Sequence, residues 1–541
     1  MRKISTALAL LALCAPLGAQ NINQTVEVTN DYRTRFEDFQ KQAPGMSVPD
    51  SLFRFDYDFD YSVFETPYRG SYEFSPYRIE VTPEARQRDG SRLYLRAGAG
   101  YAFHPQLEFA AQLLDEEDFK IGIVADMQGY AGNYRLRNGG GVKAPGYDLS
   151  SSLALNGQYL RPKARLSYHF GYEGIHSGER VADPAFVAGF NSGLVMGRIQ
   201  SREAETGPFF YDVELRYRYS GDSFPKSWDP SHVGASNIHA AASFGPVLQE
   251  KYKILFDLTA DIDMLRKDGV AFGGSVAAGV MTVKPHLDFR FGKIDFDAGL
   301  RMGATVTGED RRFVLAPDVT ARLALADYDM ELYAGVSGGP VLQGHDDLKR
   351  LQHFFPLTAG NTAVVSREKL RIRAGAVGRW GSRLQYEFEG GYVSALSMPI
   401  ASLLSVTTAD LTAAYVQARG MWTSPRLEVD GGFRYAYMRL AAAAPGYSPS
   451  ALTVDLRGVY NWEQRTRAGV FLQAASLRKS LGGVYEDIPG YVNLGLTGEF
   501  RFDARWTLWA EAGNLLGMAI ERMPGYIEKS PYLTLGFSMK L

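Results

Sequence analysis

Several short strings in this chain have the residue types and spacing for chemistry, and each makes a demand on its surroundings. Gly335-Val336-Ser337-Gly338-Gly339 spells the G-x-S-x-G pattern that presents a serine nucleophile on a sharp strand-to-helix turn. Here it ends an alternating run and enters a long loop, so its glycines read as a flexible strand end. The eight histidines, His104, His169, His176, His232, His239, His286, His345 and His353, show no His-x-x-x-His or similar ligand spacing. Gly344-His345-Asp346-Asp347 offers hard oxygens for a cation, or is simply a solvated outer loop. His176-Ser177 joins a base to a hydroxyl, but adjacent strand residues point to opposite faces and cannot form a dyad. Asn138 to Gly141 is a loop tip, not a phosphate-binding glycine loop. The expectation is a chain with no catalytic residues, no cofactor and no metal site.

The remaining chemistry-bearing residues are charges set an even number of positions apart within each run. They are Arg165; Asp257 and Asp261; Asp295, Asp297 and Arg301; Asp318 and Arg322; Glu387 and Glu389; Asp430 and Arg434. On a strand, even separations bring side chains to one face. The opposite face is apolar, as in Leu166, Tyr168, Phe170 and Tyr172, or Tyr252, Ile254, Phe256, Leu258, Ala260 and Ile262. Such two-faced strands suit a soluble sandwich with a charged exterior or a transmembrane barrel with a charged lumen. A sandwich of this many strands would split into several domains, and no linker divides the chain after Arg92. The charges therefore read as lining a lumen, where they pair across the interior, offer solutes a polar path, or do both.

Connections point the same way. Counting back from Leu541, short links such as 503–505, 461–465, 424–425 and 381–382 alternate with long ones at 477–490, 440–450, 394–407 and 338–369. Short turns on one side and long loops on the other are the habit of outer-membrane barrels, and the count comes to about 22 antiparallel strands. The fold expectation is all-β, one large transmembrane β-barrel over residues 92–541. Two places fit this poorly. Val283-Lys284-Pro285 reads as a bulge, and Pro317 falls within a strand where it cannot donate to the ladder.

Composition excludes other classes. Lys+Arg 58 against Asp+Glu 60 leaves a formal charge of -2, with no basic patch for nucleic acid. Residues 1–19 have the positive start, apolar run and small-residue cleavage site of a secretory signal, with cleavage near Ala19. The single cysteine, Cys14, lies within that signal, so disulfides and cysteine-ligated metals are not expected in the mature chain. Residues 20–91 are polar, then aromatic and acidic, and punctuated by prolines; they read as an arm that enters the lumen or meets a periplasmic partner.

The last residues name a family by resemblance. Trp506-Thr507-Leu508-Trp509-Ala510-Glu511-Ala512-Gly513-Asn514-Leu515-Leu516, then Pro524-Gly525-Tyr526 and a final alternating strand, is similar to the last hairpin of TonB-dependent receptors. Gly536, Phe537, Met539 and Leu541 resemble the C-terminal signal read by the barrel assembly machinery, with Leu541 where an aromatic residue usually stands. The resemblance implies an outer-membrane barrel surrounded by lipid, and it is strongest to the barrel-only, plug-less relatives of Bacteroidetes-type bacteria. Family receptors hold a plug of well over a hundred residues, whereas about 70 residues lie here between the cleavage site and the first strand. Gln24-Thr25-Val26-Glu27-Val28 resembles the short box that contacts TonB. The functions implied are a channel or envelope assembly component, with TonB-coupled nutrient uptake and a barrel-embedded hydrolase as alternatives.

Overall fold

The computed structural model describes residues 92–541 apart from 102, 137–142, 180–185, 203–208, 224–232, 249–251, 268–275, 308–309, 353–362, 404, 443, 464 and 529–530. The expected signal, the arm and the TonB-box string lie outside the described residues.

The first half of the chain is a run of strands: β1 (Leu93–Tyr101), β2 (Gln106–Asp115), β3 (Phe119–Leu136), β4 (Lys143–Leu160), β5 (Ala164–Glu179) and β6 (Phe186–Ser201). It continues with β7 (Phe209–Ser223), β8 (Val233–Leu248), β9 (Tyr252–Lys267), β10 (Val276–Phe291), β11 (Ile294–Thr307) and β12 (Asp310–Leu325). After a 3₁₀ turn come β13 (Met330–Gln343), the helix α1 (His345–Leu351), β14 (Val364–Trp380), β15 (Leu384–Ala401), β16 (Val406–Thr423) and β17 (Leu427–Ala442). The remainder is β18 (Gly446–Tyr447), β19 (Leu452–Trp462), β20 (Thr466–Ala475), β21 (Ser480–Leu481) and β22 (Tyr491–Arg501). It ends with β23 (Trp506–Gly513), β24 (Ile520–Met523), β25 (Tyr526–Glu528) and β26 (Tyr532–Lys540).

Twenty-two of these strands form one closed antiparallel barrel. Each pairs with its neighbour in the chain until β26 returns to β1, with Tyr94 opposite Lys540 and Tyr101 opposite Leu533. The main chain extends this closure, because the Leu541 carbonyl accepts from the amide of Leu93 and the Leu541 amide donates to the Leu93 carbonyl, both at 2.9 Å. β18 and β21 form a small separate pair. The β24–β25 hairpin attaches to the far end of β3, above the short β1–β2 hairpin, and raises the wall where its strands are shortest.

The alternation makes this wall two-sided. Phe170, Leu215, Phe256, Met281, Leu315, Phe388, Phe433, Leu456, Leu496 and Leu535 are between 41% and 59% exposed. In water, burying such side chains would drive folding. Here they form the outer surface, and among the described residues no helix is long and apolar enough to cross a membrane.

Several sequence expectations need correction. Val283-Lys284-Pro285 is no bulge, because β10 keeps one register against β9, with Lys284 opposite Asp257 and Pro285 opposite Phe256. Only on the β11 side do these two residues lack partners, which is what a missing proline N–H requires. Pro317 sits where β12 has β11 on one side and nothing on the other, since β13 joins β12 only from Val319 to Leu325. Residues 394–407 are mostly wall, not loop; β15 runs on to Ala401, and the turn closes where the Ser402 amide donates to Ser405 at 2.8 Å.

The G-x-S-x-G string marks the place where β13 leaves the wall. Its register against β14 shifts between Ser337 and Gly339, and Gly339 has φ +134°. A Cβ on Gly338 would lie 3.1 Å from the Ala316 side chain, and one on Gly339 2.9 Å from the Arg301 side chain. The glycines let the outer half of β13 slide across the faces of β12 and β11 that carry Asp318 and Arg301, which carries α1 with it.

A charge on the apolar face should block assembly. Leu215→Arg, midway along β7, should cost about 2–4 kcal/mol if the surroundings are hydrocarbon. The heat-modifiable folded band on a gel should weaken in Leu215→Arg and persist in Ser243→Arg on the other face; equal effects would refute a lipid-facing exterior.

Candidate functional site

α1 identifies the inner face. It touches β5, β6, β7 and β9 through side chains and reaches the β15–β16 and β24–β25 turns from the same position. Only the inside of a closed wall presents all of these to one short helix. Arg218, Ser220 and Asp222 of β7, which meet α1, share parity with Asp212, Glu214 and Arg216, and the apolar face of β7 points away.

Near the β10–β11 turn, the inner face carries a belt of charge. His286 Nε2 lies 3.2 Å from Asp257, and its Nδ1 lies 3.0 Å from Asp297 and 3.3 Å from Asp288. Lys284 Nζ lies 3.1 Å from Asp297 and 3.5 Å from Asp318, which also takes Arg301. Asp261 pairs with His239 at 2.6 Å. Asp295 meets Arg290, with Arg322 opposite it in register. These neighbouring strands thus bring together seven of the twelve charges singled out in the sequence, in three groups.

The other five stand apart. Glu389 accepts from the hydroxyls of Tyr333 and Tyr415, each at 2.9 Å, and from Gln417 at 3.2 Å. Arg434 lies 5.9 Å from the centre of the Tyr415 ring. Glu387 is opposite Arg419, and Asp430 opposite Arg457. Arg165, on β5 opposite Gln200, has a buried Nε without a hydrogen bond. At the C-terminal strand, Phe537 and Leu541 are exposed on the apolar side, and Gly536 lies under the Trp509 indole.

At the opposite end of the lumen, α1 overturns the reading of residues 344–347 as a solvated loop or cation site. Its acidic groups are already engaged: Asp346 takes Arg218 at 2.6 Å and the Ser192 hydroxyl at 3.1 Å, while Asp347 accepts from the Gly344 amide at 3.1 Å. Lys349, wholly buried, lies 2.6 Å from Asp222. His345 receives or gives a hydrogen bond to Ser220 at 2.8 Å, and its amide donates to Asp263 at 2.9 Å. Leu348 packs with Ala235 and Val406. Gln352, just past the helix, donates to the carbonyls of Ser402, Leu403 and Pro524 at 2.9 to 3.0 Å. The helix is a latch inside the wall.

Burial pushes the His345 imidazole below its ordinary 6.5; Lys349 acts in the same direction, and the Asp222 carboxylate 4.0 Å away opposes them. A depressed histidine pKa means that the docked helix binds fewer protons than the released one, so docking is favoured above pH 6.5 and weakens as pH falls below it. Hydrogen exchange of the α1 amides, corrected for intrinsic rates, should show more opening at pH 5.5 than at pH 7.5; the opposite trend would exclude a neutral His345. Lys349→Met leaves the Asp222 carboxylate buried and unpaired, and should weaken docking by about 3–5 kcal/mol. Adding Asp222→Asn should restore most of the exchange protection, and failure of that rescue would show that the pair is not what holds the helix.

No protein-family model matches this sequence, and no curated protein matches it. Solved structures match its fold. The copper transporter OprC does so with a TM-score of 0.59 at 13% identity, over 84% of this chain and 80% of that one. The FrpB iron transporter from Neisseria meningitidis (F3-3 variant) gives 0.62 at 9%, over 83% and 81%. The siderophore receptor PirA from Acinetobacter baumannii gives 0.60 at 7%, over 83% and 80%. At these identities the likeness is one of architecture: the chain shares its large closed antiparallel barrel with these transporters and this receptor.

Proposed function

We propose that this chain is an outer-membrane barrel of the TonB-dependent-receptor type that works without a plug domain and passes polar solutes through its lumen. The observation that carries this reading is the inversion of ordinary protein architecture, with large apolar side chains outside and ion pairs inside a closed wall. A barrel of this many strands is too wide for its own side chains to fill, so its interior is wet or occupied by folded-in segments. The belt from Asp257 to Arg322, with Glu387, Glu389, Asp430, Arg434 and Arg165, would line the path, and α1 would narrow it. On this reading the barrel assembly machinery inserts the chain, and residues 20–91 enter the lumen or engage a periplasmic or envelope partner.

The fold shared with transporters of copper and iron favours one second reading, TonB-coupled uptake, in which a partner supplies what a plug would do. Planar-bilayer recordings separate the two. The purified chain should give discrete conductance steps, larger in Lys349→Met and larger again without residues 20–90. Silence from all three forms would end the channel reading, and solute uptake abolished by collapsing the proton gradient would establish the coupled one.

A further inference from the structure

The charge belt contains a group whose geometry asks for more than ion pairing. His286 and Asp288 project from one face of β10, and Asp297 reaches them from β11. The His286 Nδ1 atom and one carboxylate oxygen from each aspartate lie within 4.8 Å of one another. We propose that these three residues bind a divalent transition-metal ion, a role independent of whether the lumen conducts.

Four features support the assignment. The first is spacing: His286 Nδ1 is 3.0 Å from Asp297 Oδ1 and 3.3 Å from Asp288 Oδ1. An ion about 2.0–2.2 Å from nitrogen and oxygen ligands holds adjacent donors roughly 3.0–3.5 Å apart. The second is orientation. The ring's other nitrogen, Nε2, faces Asp257 at 3.2 Å, and Asp257 is itself held by the Ser243 hydroxyl at 2.6 Å. With a cation on Nδ1, which now meets Asp297 at 3.0 Å, the carboxylate behind the ring would hold the remaining proton on Nε2.

The third feature is an unmet demand. His286 is 8% exposed, and Asp288 Oδ1 is shut off from solvent without a hydrogen bond. A neutral ring in that tautomer would turn a lone pair toward two carboxylates, a repulsion that a cation between them removes. The fourth is charge. Lys284 engages Asp297 through Oδ2, leaving Oδ1 to the His286 ring, and Lys284 and Arg301 share Asp318. Lys284 and Arg301, with Lys253 opposite Asp288 in register, thus stand against the four carboxylates of Asp257, Asp288, Asp297 and Asp318. One imidazole with two carboxylates suits zinc, cobalt or manganese better than calcium or magnesium, which prefer oxygen alone.

The competing occupant is a proton on Nδ1, and metal titration distinguishes the two. Purified full-length protein, stripped with chelator and confirmed as folded by its heat-modifiable band, would be titrated at pH 7.5 with Co²⁺ by visible absorption and with Zn²⁺ by calorimetry. One equivalent should bind, with a cobalt ligand-field spectrum that Zn²⁺ abolishes. Asp288→Asn and His286→Gln should each weaken binding at least tenfold, as should Asp257→Asn through loss of ring orientation. His169→Gln, which removes an imidazole elsewhere on the inner face, should leave binding unchanged. Absence of stoichiometric binding, or equal affinity in Asp288→Asn and His286→Gln, would overturn the site. Should His286→Gln fail to fold, Asp288→Asn alone decides.

Discussion

Hydrocarbon offers no hydrogen bonds to a polypeptide backbone, and that constraint governs this structure. A sheet in contact with lipid must close on itself, because each unpaired N–H or C=O on an open edge would cost several kcal/mol. Closure falls to β1 and β26, both 9 residues long, and to the Leu541 main chain beyond them. The side chains at this seam serve the same end. Trp509 of β23 lies flat over Gly98 and Gly536, where a Cβ on either glycine would intrude into the indole, and Arg96 stacks above it at 4.2 Å. The closing strands stay slim on the inner side so that one large ring can seal the join.

Once the wall is closed, strand geometry assigns every residue a side. Successive side chains must face lipid and lumen in turn, so charges can be accommodated only at alternate positions. The lumen then inherits a dense array of ionisable groups, and most of them solve the problem locally. Asp297, Asp318 and Glu389 each meet partners on adjacent or next-adjacent strands, which also ties those strands in register. His286 is the exception, because a single ring is set among three carboxylates.

What was legible in the sequence is what depends on neighbouring positions. The apolar rows, the turns at 381–382, 424–425 and 503–505 and the count of about 22 strands all follow from period-two alternation and local breaks. What depended on distant partners was not. α1 has only 7 residues, too few for a helical period to register, and Ser220 of β7 and His345, whose hydrogen bond ties the helix to the wall, lie 125 positions apart. His286 and Asp288, two apart on one strand, were available as a hint, but Asp297 joins them only through the β10–β11 register. Prolines misled for a related reason: Pro285 and Pro317 break a pattern in sequence, yet each sits where one neighbouring ladder is interrupted.

The latch illustrates how buried charge pairs can hold a short helix in a wide barrel all or none. α1 is held by two buried charge pairs on β7, Lys349 with Asp222 and Asp346 with Arg218, and by Gln352 at the far turns. Separating one pair while the helix stays in place strands a charge in a buried setting, and costs more than the pair contributes in water. Partial withdrawal is therefore disfavoured relative to both full docking and full release. Release in turn exposes Asp222 and Arg218 together, so the freed wall presents both signs of charge at the place the helix vacated. Any solute that stabilises the released state must bind that surface better than the docked helix does, since only differential affinity shifts such an equilibrium. The groups that hold the latch are consequently the groups through which a ligand would open it.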